Sequence, residues 1–189
     1  MRGKLILIVG PSGSGKRTLT EYVQTAFPDI VFPASCTTRD PRPGEGEGNA
    51  YYFISREEFQ RRIEAGEFLE WAEYAGNLYG TLKSEIFPAL ENGKLVFREV
   101  EVQGARKIKR DVLPELLRII FIDAGPWENL ARRIFNRAPI SSEELQKRES
   151  RYADEVSFQK SADYTIENLD GGLDEAKRQL ENIITELKK

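Results

Sequence analysis

The sequence predicts an α/β fold: a P-loop type parallel sheet core flanked by helices. Three short apolar runs of strand length, at residues 4–9, 95–102 and 116–122, are each followed by a segment in which apolar residues recur at helical spacing. Strands that alternate with helices favour parallel pairing, because each crossover helix returns the chain to the same end of the sheet. The 189 residues contain no Ser/Gly/Pro-rich linker, so we expect one domain.

The predicted elements begin with a strand, a turn and a helix. Residues 4–9 form a strand-like apolar run, and a glycine-rich turn then leads into a helix from Arg17 onward. The two later runs precede helix-like segments near residues 104–109 and 127–135. Residues 173–187 place their apolar side chains on one face, which predicts an amphipathic helix packed against the sheet.

Two segments interrupt this alternation and are predicted to be insertions. Residues 35–84 are rich in Gly, Pro, Tyr and charge, and residues 137–147 are polar and weakly patterned. In α/β proteins, insertions at the ends of parallel strands usually carry the ligand-binding parts. We therefore expect a single domain over residues 1–189, with a core at 1–34, 85–136 and 148–189, a binding insertion at 35–84 and a mobile lid at 137–147.

Composition excludes several classes of function. The chain has no histidine, which rules out Ser-His-Asp and Cys-His nucleophile systems and imidazole-based zinc sites. It has one cysteine, Cys36. A net charge of -3 does not favour nucleic-acid binding, and no run approaches the roughly 20 apolar residues of a membrane span. A lone cysteine suits a reducing compartment, so we expect a cytoplasmic location.

The strongest local motif is a phosphate-binding loop. Residues 10–16 read GPSGSGK, which fits G-x-x-x-x-G-K and lies between a predicted strand and a predicted helix. The glycines let backbone N–H groups converge on phosphate oxygens, and Lys16 adds a positive charge near the β- and γ-phosphates. A plain glycine-rich turn would not require this lysine, so the motif predicts nucleoside triphosphate binding. Arg17 replaces the usual Ser or Thr, and we expect water to take that Mg²⁺ position.

Several further motifs resemble those of the guanylate kinase family. They are SCTTRDPRPGE at residues 35–45 followed by YYF at 51–53, GEFLEWA at 66–72, GNLYGT at 76–81 and VQGA at 102–105. With the phosphate loop, Asp163-Tyr164 and Asn168, they cover almost the whole chain in the family's order. The resemblance implies phosphoryl transfer from ATP to GMP, giving ADP and GDP, with Mg²⁺ as cofactor.

The chemistry of the acceptor residues agrees with the resemblance. Two arginines beside acidic residues would by themselves indicate a solvated turn, but Arg39 and Arg42 are planar cations that suit a phosphate. Glu70 would read the guanine base, because an ionised carboxylate only accepts hydrogen bonds, guanine N1 and N2 donate them, and adenine N1 does not. By resemblance, the GMP-binding residues are Ser35, Arg39, Arg42, Tyr51, Glu70, Tyr79, Thr81 and Glu99.

The resemblance also assigns the donor side. Cation runs on helices are usually solvated faces, but the family places matching arginines on a lid over the ATP phosphates, and Arg132 is left to solvent. Phosphoryl transfer depends mainly on placement and charge neutralisation, which suits arginine. The expected ATP-binding residues are Pro11, Ser12, Gly13, Ser14, Gly15, Lys16, Arg17, Thr18 and Asn168. The expected catalytic residues are Lys16, Arg39, Arg133, Arg137 and Arg148.

Glu99 and Glu101 are expected to alternate along a strand and face the same side, near the phosphate loop. The family usually carries an acidic residue at each position, and Glu101 would contact Mg²⁺ only indirectly. The sequence departs from the family at Glu101, commonly Asp, at Ala50, at Arg98 and at residues 138–139. These departures concern the rate and the metal dependence more than the fold.

The sequence leaves two other functions open. One is an inactive guanylate-kinase-like module that binds protein partners; such modules typically lose the phosphate loop, whereas Lys16, Arg39 and Glu70 are retained here. The other is a P-loop kinase for a different nucleoside monophosphate, which fits the loop and the lid but not Glu70. The expected partners are GMP and ATP, without nucleic acid or membrane.

Overall fold

The computed structural model describes residues 3–46, 48, 50–74, 76–137 and 140–189. In these ranges the chain alternates between strands and helices, which confirms the predicted α/β class. The elements are β1 (Lys4–Val9), α1 (Lys16–Ala26), β2 (Ser35–Thr37), β3 (Tyr51–Phe53), α2 (Arg56–Glu64), β4 (Phe68–Tyr74), β5 (Asn77–Leu82), α3 (Lys83–Glu91), β6 (Leu95–Glu99), α4 (Val102–Asp111), β7 (Leu117–Asp123), α5 (Trp127–Arg137), α6 (Ser142–Ser157), β8 (Tyr164–Glu167) and α7 (Leu173–Leu187).

The first sheet has the strand order β6-β1-β7-β8. The β7–β8 pair is parallel, with Ile120 opposite Tyr164 and Asp123 opposite Glu167. Residues 5–9 of β1 and 119–122 of β7 are almost completely buried. Continuous apolar strands of this kind are typical of a parallel sheet that is covered on both faces. The loop after β1 carries the phosphate-binding motif and leads into α1.

The second sheet lies within the predicted binding insertion and has the order β3-β2-β5-β4. Strand β2 is parallel to β3 and antiparallel to β5, which is also antiparallel to β4. Behind this sheet a separate apolar cluster contains Cys36, Phe59, Phe68, Leu78 and Leu82. The rings of Phe59 and Phe68 stack with centroids 4.3 Å apart, and the Cys36 thiol is buried in the same cluster. This core fixes the strands that carry the candidate acceptor residues.

The chain divides into two compact units. The first includes Asp29–Phe97 and Gln103–Leu117, and the second includes Ile6–Pro28, Arg98–Val102 and Arg118–Lys189. The β3-β2-β5-β4 sheet belongs to the first unit, and the phosphate loop belongs to the second. No helix in the described ranges has the length and apolar character needed to cross a membrane.

The predicted strand at residues 95–102 is too long. Strand β6 ends at Glu99, and Val102 already begins α4. The expectation that Glu99 and Glu101 alternate along one strand is therefore wrong. Glu99 is half-buried on the strand, whereas Glu101 is exposed in the short connection to the helix. Val100 and Val102 are buried on either side of the exposed Glu101. This alternation of buried and exposed residues is the same as in a strand, so the sequence predicted that the strand continued.

The polar segment at residues 137–147 is more regular than its pattern indicated. Helix α5 extends to Arg137, and α6 begins at Ser142. The Ser141 side chain accepts a hydrogen bond of 3.2 Å from the backbone N–H of Glu144, and Glu144 stands at the capping-box position. Residues 138 and 139, where the sequence departs from the family, lie outside the described ranges.

Candidate functional site

The phosphate loop is shaped by close approach of Asn168. Gly15 has a φ of 93°, and a Cβ atom there would lie 2.3 Å from Asn168 Nδ2. The same Nδ2 donates a buried hydrogen bond of 2.7 Å to the carbonyl oxygen of Ser14. Only glycine satisfies both the left-handed backbone and this approach. Asn168 follows the end of β8, so the sheet and the loop fix each other.

Lys16 lies folded across the loop. Its side chain is buried, and Nζ donates to the carbonyl oxygens of Gly10 at 2.7 Å and Pro11 at 3.1 Å. Ser14 Oγ is also buried and has no hydrogen-bond partner within the described ranges. The loop thus holds a cation and a hydroxyl donor against its own backbone, which is an arrangement suited to an anionic group.

Helix α6 reaches the phosphate loop through Arg148. Its Nη1 donates to Ser12 Oγ at 2.8 Å, and its Nε donates to Glu144 Oε1 at 3.0 Å. Glu144 is in the first turn of the helix and one turn before Arg148, so the capped helix start sets the position of the guanidinium.

Arg133 on α5 is held by the segment after β8. Its Nε donates to Asp170 Oδ1 at 3.0 Å, and its Nη2 donates to the carbonyl oxygen of Asn168 at 2.8 Å. Burial and the neighbouring Arg132 lower the pKa of Arg133. Arg132, which was expected to be left to solvent, also binds Asp170. Arg137 is the last residue of α5, and its side chain lies outside the described part of the structure.

Two carboxylates, those of Glu99 and Glu155, interact electrostatically with Lys16. Burial raises the pKa of Glu99, while Lys16 acts in the opposite direction. Glu155 on α6 behaves alike, because burial and the nearby Glu101 raise its pKa and Lys16 lowers it. Arg17 pairs with Glu21 on the surface at 2.9 Å.

In the first unit, three polar side chains converge on adjacent strands. Ser35 on β2 pairs with Thr81 on β5, which in turn pairs with Glu70 on β4. All three are almost completely buried, and Thr81 Oγ1 donates to Glu70 Oε1 at 2.7 Å. A carboxylate that is removed from water is stabilised by several hydrogen-bond donors, and Thr81 supplies only one of them.

Arg39 forms a second polar centre of the first unit. Its Nη1 and Nη2 atoms donate to the two carboxylate oxygens of Glu45 at 2.9 and 3.0 Å. The guanidinium lies 5.4 Å from the ring centroid of Tyr51 and 5.6 Å from that of Phe53. Glu45, and to a smaller extent a hydrogen bond with Tyr79, raise the pKa of Arg39. The cation is therefore held rigidly by one carboxylate and aromatic rings.

A family model described as guanylate kinase matches residues 2–187. The chain belongs to the guanylate kinase family. It is 45% identical over 169 residues to a guanylate kinase of Rubrobacter xylanophilus, covering 89% of this chain and 87% of that protein. A guanylate kinase of Synechococcus sp. is 42% identical over 97% of this chain and 82% of its own length. The crystal structure of guanylate kinase from Anaplasma phagocytophilum superposes with a TM-score of 0.72 and 31% identity, covering 99% and 87% of the two chains.

The structure groups the family-motif residues into three clusters. Ser35, Glu70 and Thr81 form one, and Arg39, Tyr51 and Tyr79 form another. In the second unit, Ser12, Ser14, Lys16, Arg133, Arg148 and Asn168 are linked through the phosphate loop. The side chains of Arg42 and Thr18 lie on the surface instead, and Arg42 contributes its backbone N–H to Glu45 at 2.7 Å.

Three neighbouring carboxylates were not assigned from the sequence. Glu45 was visible only as an acidic neighbour of Arg39, which is equally typical of a solvated turn. Asp170 and Glu155 gave no local signal, because Arg133, which Asp170 binds, and Lys16, whose charge lowers the pKa of Glu155, are far away along the chain. Pairs of this kind become recognisable only once the fold brings them together.

Proposed function

We propose that the protein transfers the γ-phosphoryl group of ATP to GMP and releases ADP and GDP. The observation that carries this proposal is the buried Glu70 carboxylate, which keeps hydrogen-bonding capacity beyond its contact with Thr81. Guanine presents two adjacent donors at N1 and N2, whereas adenine presents an acceptor at N1. A buried carboxylate therefore selects guanine, because adenine would leave it unpaired. The family model and the relatives named above are guanylate kinases and give no support to the two alternative functions.

Arg39 would bind the phosphate of GMP, assisted by Arg42, Tyr51 and Tyr79. Its guanidinium is already held in place by Glu45 and the aromatic rings, so little side-chain freedom remains to be lost on binding. Arg42 is at the surface and would add a second guanidinium. Ser35 and Glu99 complete the proposed acceptor residues.

The phosphate loop would hold ATP through residues 11–18 and Asn168. Lys16 would exchange its contacts with the Gly10 and Pro11 carbonyl oxygens for phosphate oxygens, which are stronger partners for an ammonium group. Ser14 Oγ would find in a phosphate oxygen the partner that the described residues do not supply. Arg133, Arg137 and Arg148 would neutralise charge on the transferring group.

Mg²⁺ would accompany ATP. No group of three or more acidic or sulfur side chains in the described ranges could enclose a metal, and Arg17 offers no ligand atom. This donor set fits an ion that binds chiefly to phosphates and water, as Mg²⁺ does in many kinases. Glu101 would contact its water shell, and the bound ion would supply charge neutralisation at the phosphates. We also propose the domain division and the cytoplasmic location given above.

Turnover with different acceptors tests this function. The purified protein is mixed with ATP and Mg²⁺, and GMP, AMP, CMP or UMP is added in separate reactions. We expect ADP formation with GMP only, since the other bases do not offer Glu70 two adjacent donors. Equal turnover with AMP would contradict the role of Glu70, and no turnover with any acceptor would favour the interaction module.

We expect Glu45→Gln to weaken GMP binding. Glutamine retains the size of the side chain but loses the charge and one acceptor, so Arg39 is no longer fixed at both terminal nitrogens. Loss of a charge-assisted contact predicts a rise of about tenfold in KM for GMP and little change for ATP. Steady-state kinetics with each substrate varied would measure both values.

Asp40→Asn is the matched control. It removes one negative charge from the same exposed turn, but Arg39 contacts the backbone oxygen of Asp40 and not its carboxylate. Its KM for GMP should therefore stay close to that of the unchanged protein. A lower KM in Glu45→Gln would mean that Glu45 competes with the GMP phosphate for Arg39 and would contradict a positioning role.

A further inference from the structure

The wall beside Glu70 is formed by a glycine. Gly104 is the third residue of α4, and the three atoms nearest to a Cβ built at this position all belong to Glu70. The distances from that Cβ would be 3.3 Å to Oε2 and 3.8 Å to Cδ and to Cγ. Any side chain at residue 104 would therefore lie against the carboxylate, on the side of the oxygen that Thr81 does not contact.

Nothing in the backbone requires glycine at this place. Gly104 is absent from the glycines with positive φ and lies in the first turn of a helix of ten residues. Glycine loses more backbone freedom than alanine when it becomes helical. The helix thus carries an unfavourable residue at the position that borders Glu70. A glycine at this position leaves space for the Glu70 carboxylate and for the group that binds to it, and this explains the choice of residue.

We propose that Gly104 is a specificity-determining residue that keeps Glu70 Oε2 accessible to the donor edge of guanine. This inference rests on the proposed function and deepens it. Thr81 holds Oε1 at 2.7 Å and leaves Oε2 as the second acceptor. A methyl group at 3.3 Å would push the carboxylate by a few tenths of an ångström and would cover part of its surface. Hydrogen bonds to both guanine donors depend on that position, since their strength falls steeply with poor alignment.

The proposal predicts opposite effects of Gly104→Ala on stability and on recognition. Alanine favours the helix, so the melting temperature should not fall. KM for GMP should rise about tenfold, because a small displacement of a positioning group is amplified in a pre-organised site. KM for ATP should not change. The ratio of kcat/KM for GMP to kcat/KM for AMP should decrease.

Two further variants separate recognition from general effects on the helix. Gln103→Ala also adds helix propensity, but its side chain is exposed in the same turn, so KM for GMP should not change. In a Glu70→Ala background, Gly104→Ala should have no additional effect on KM for GMP, because the contact has been removed. This non-additivity would not arise if residue 104 acted only on the helix.

The outcomes are distinguishable. An unchanged KM for GMP in Gly104→Ala would overturn the inference. So would an equal fold-change in KM from Gly104→Ala with and without Glu70. In either case, GMP turnover by the unchanged protein would still support the proposed function. If Gly104→Ala does not fold, recovery of folding in the double variant with Glu70→Ala supports the contact, and no recovery overturns it. Failure of the unchanged protein to use GMP would instead contradict the proposed function itself.

Discussion

We expect Lys16→Met to lower kcat by at least about a hundredfold, the usual cost of removing one pre-organised group that stabilises transition-state charge. Methionine is unbranched like lysine and one atom shorter, but it carries no charge, so it cannot neutralise the transferring phosphoryl group. The ammonium lies buried against the Gly10 and Pro11 carbonyl oxygens, within the loop that would hold the phosphates. The measurement is ADP formation at saturating ATP and GMP.

Lys16→Arg separates charge from geometry. It keeps the positive charge, but a planar guanidinium does not reproduce the compact ammonium between two carbonyl oxygens. We expect it to lose most of the activity as well, though less than Lys16→Met, with an unchanged circular dichroism spectrum for both variants. If Lys16→Met retained more than roughly a tenth of the activity, the charge of Lys16 would contribute less to kcat than we propose.

The phosphate loop shows what could be read from the sequence. Its glycines and Lys16 follow one another in a pattern whose physical requirements are local, and the strand before it and the helix after it are where the pattern requires them. The insertion was marked by its composition, although the separate sheet and the core around Phe59 were not foreseen. Local chemistry was therefore predictable, and the pairing of distant strands was not.

The errors have a common physical origin. The strand before Glu101 was extended too far because buried valines on a turn resemble those on a strand. Asp170 binds Arg133 across 37 positions of the chain, and no periodicity signals such a pair. The start of α6 is different, because Ser141 and Glu144 formed a recognisable capping pattern that the polar composition of the segment obscured.

We expect Glu70→Gln to change the choice of acceptor and not merely to weaken it. Thr81 Oγ1 donates to Glu70 Oε1, so the amide oxygen of glutamine would take that place and its NH₂ group would replace Oε2. An NH₂ group cannot accept hydrogen bonds from N1 and N2 of guanine, but it can donate one to N1 of adenine. Loss of a charged hydrogen bond and the resulting mismatch predict a fall in kcat/KM for GMP of about 10- to 100-fold, about 1.4 to 2.8 kcal/mol.

The comparison of GMP and AMP decides between recognition and structural damage. Damage to the sheet would lower kcat/KM for both acceptors, whereas an exchange of donor and acceptor lowers it for GMP and leaves or raises it for AMP. Glu70→Ala is the control, since it removes the acceptor without adding a donor and should gain nothing for AMP. KM for ATP should stay the same in both variants. Equal losses for GMP and ATP would show that the carboxylate supports the fold of the insertion and does not read the base.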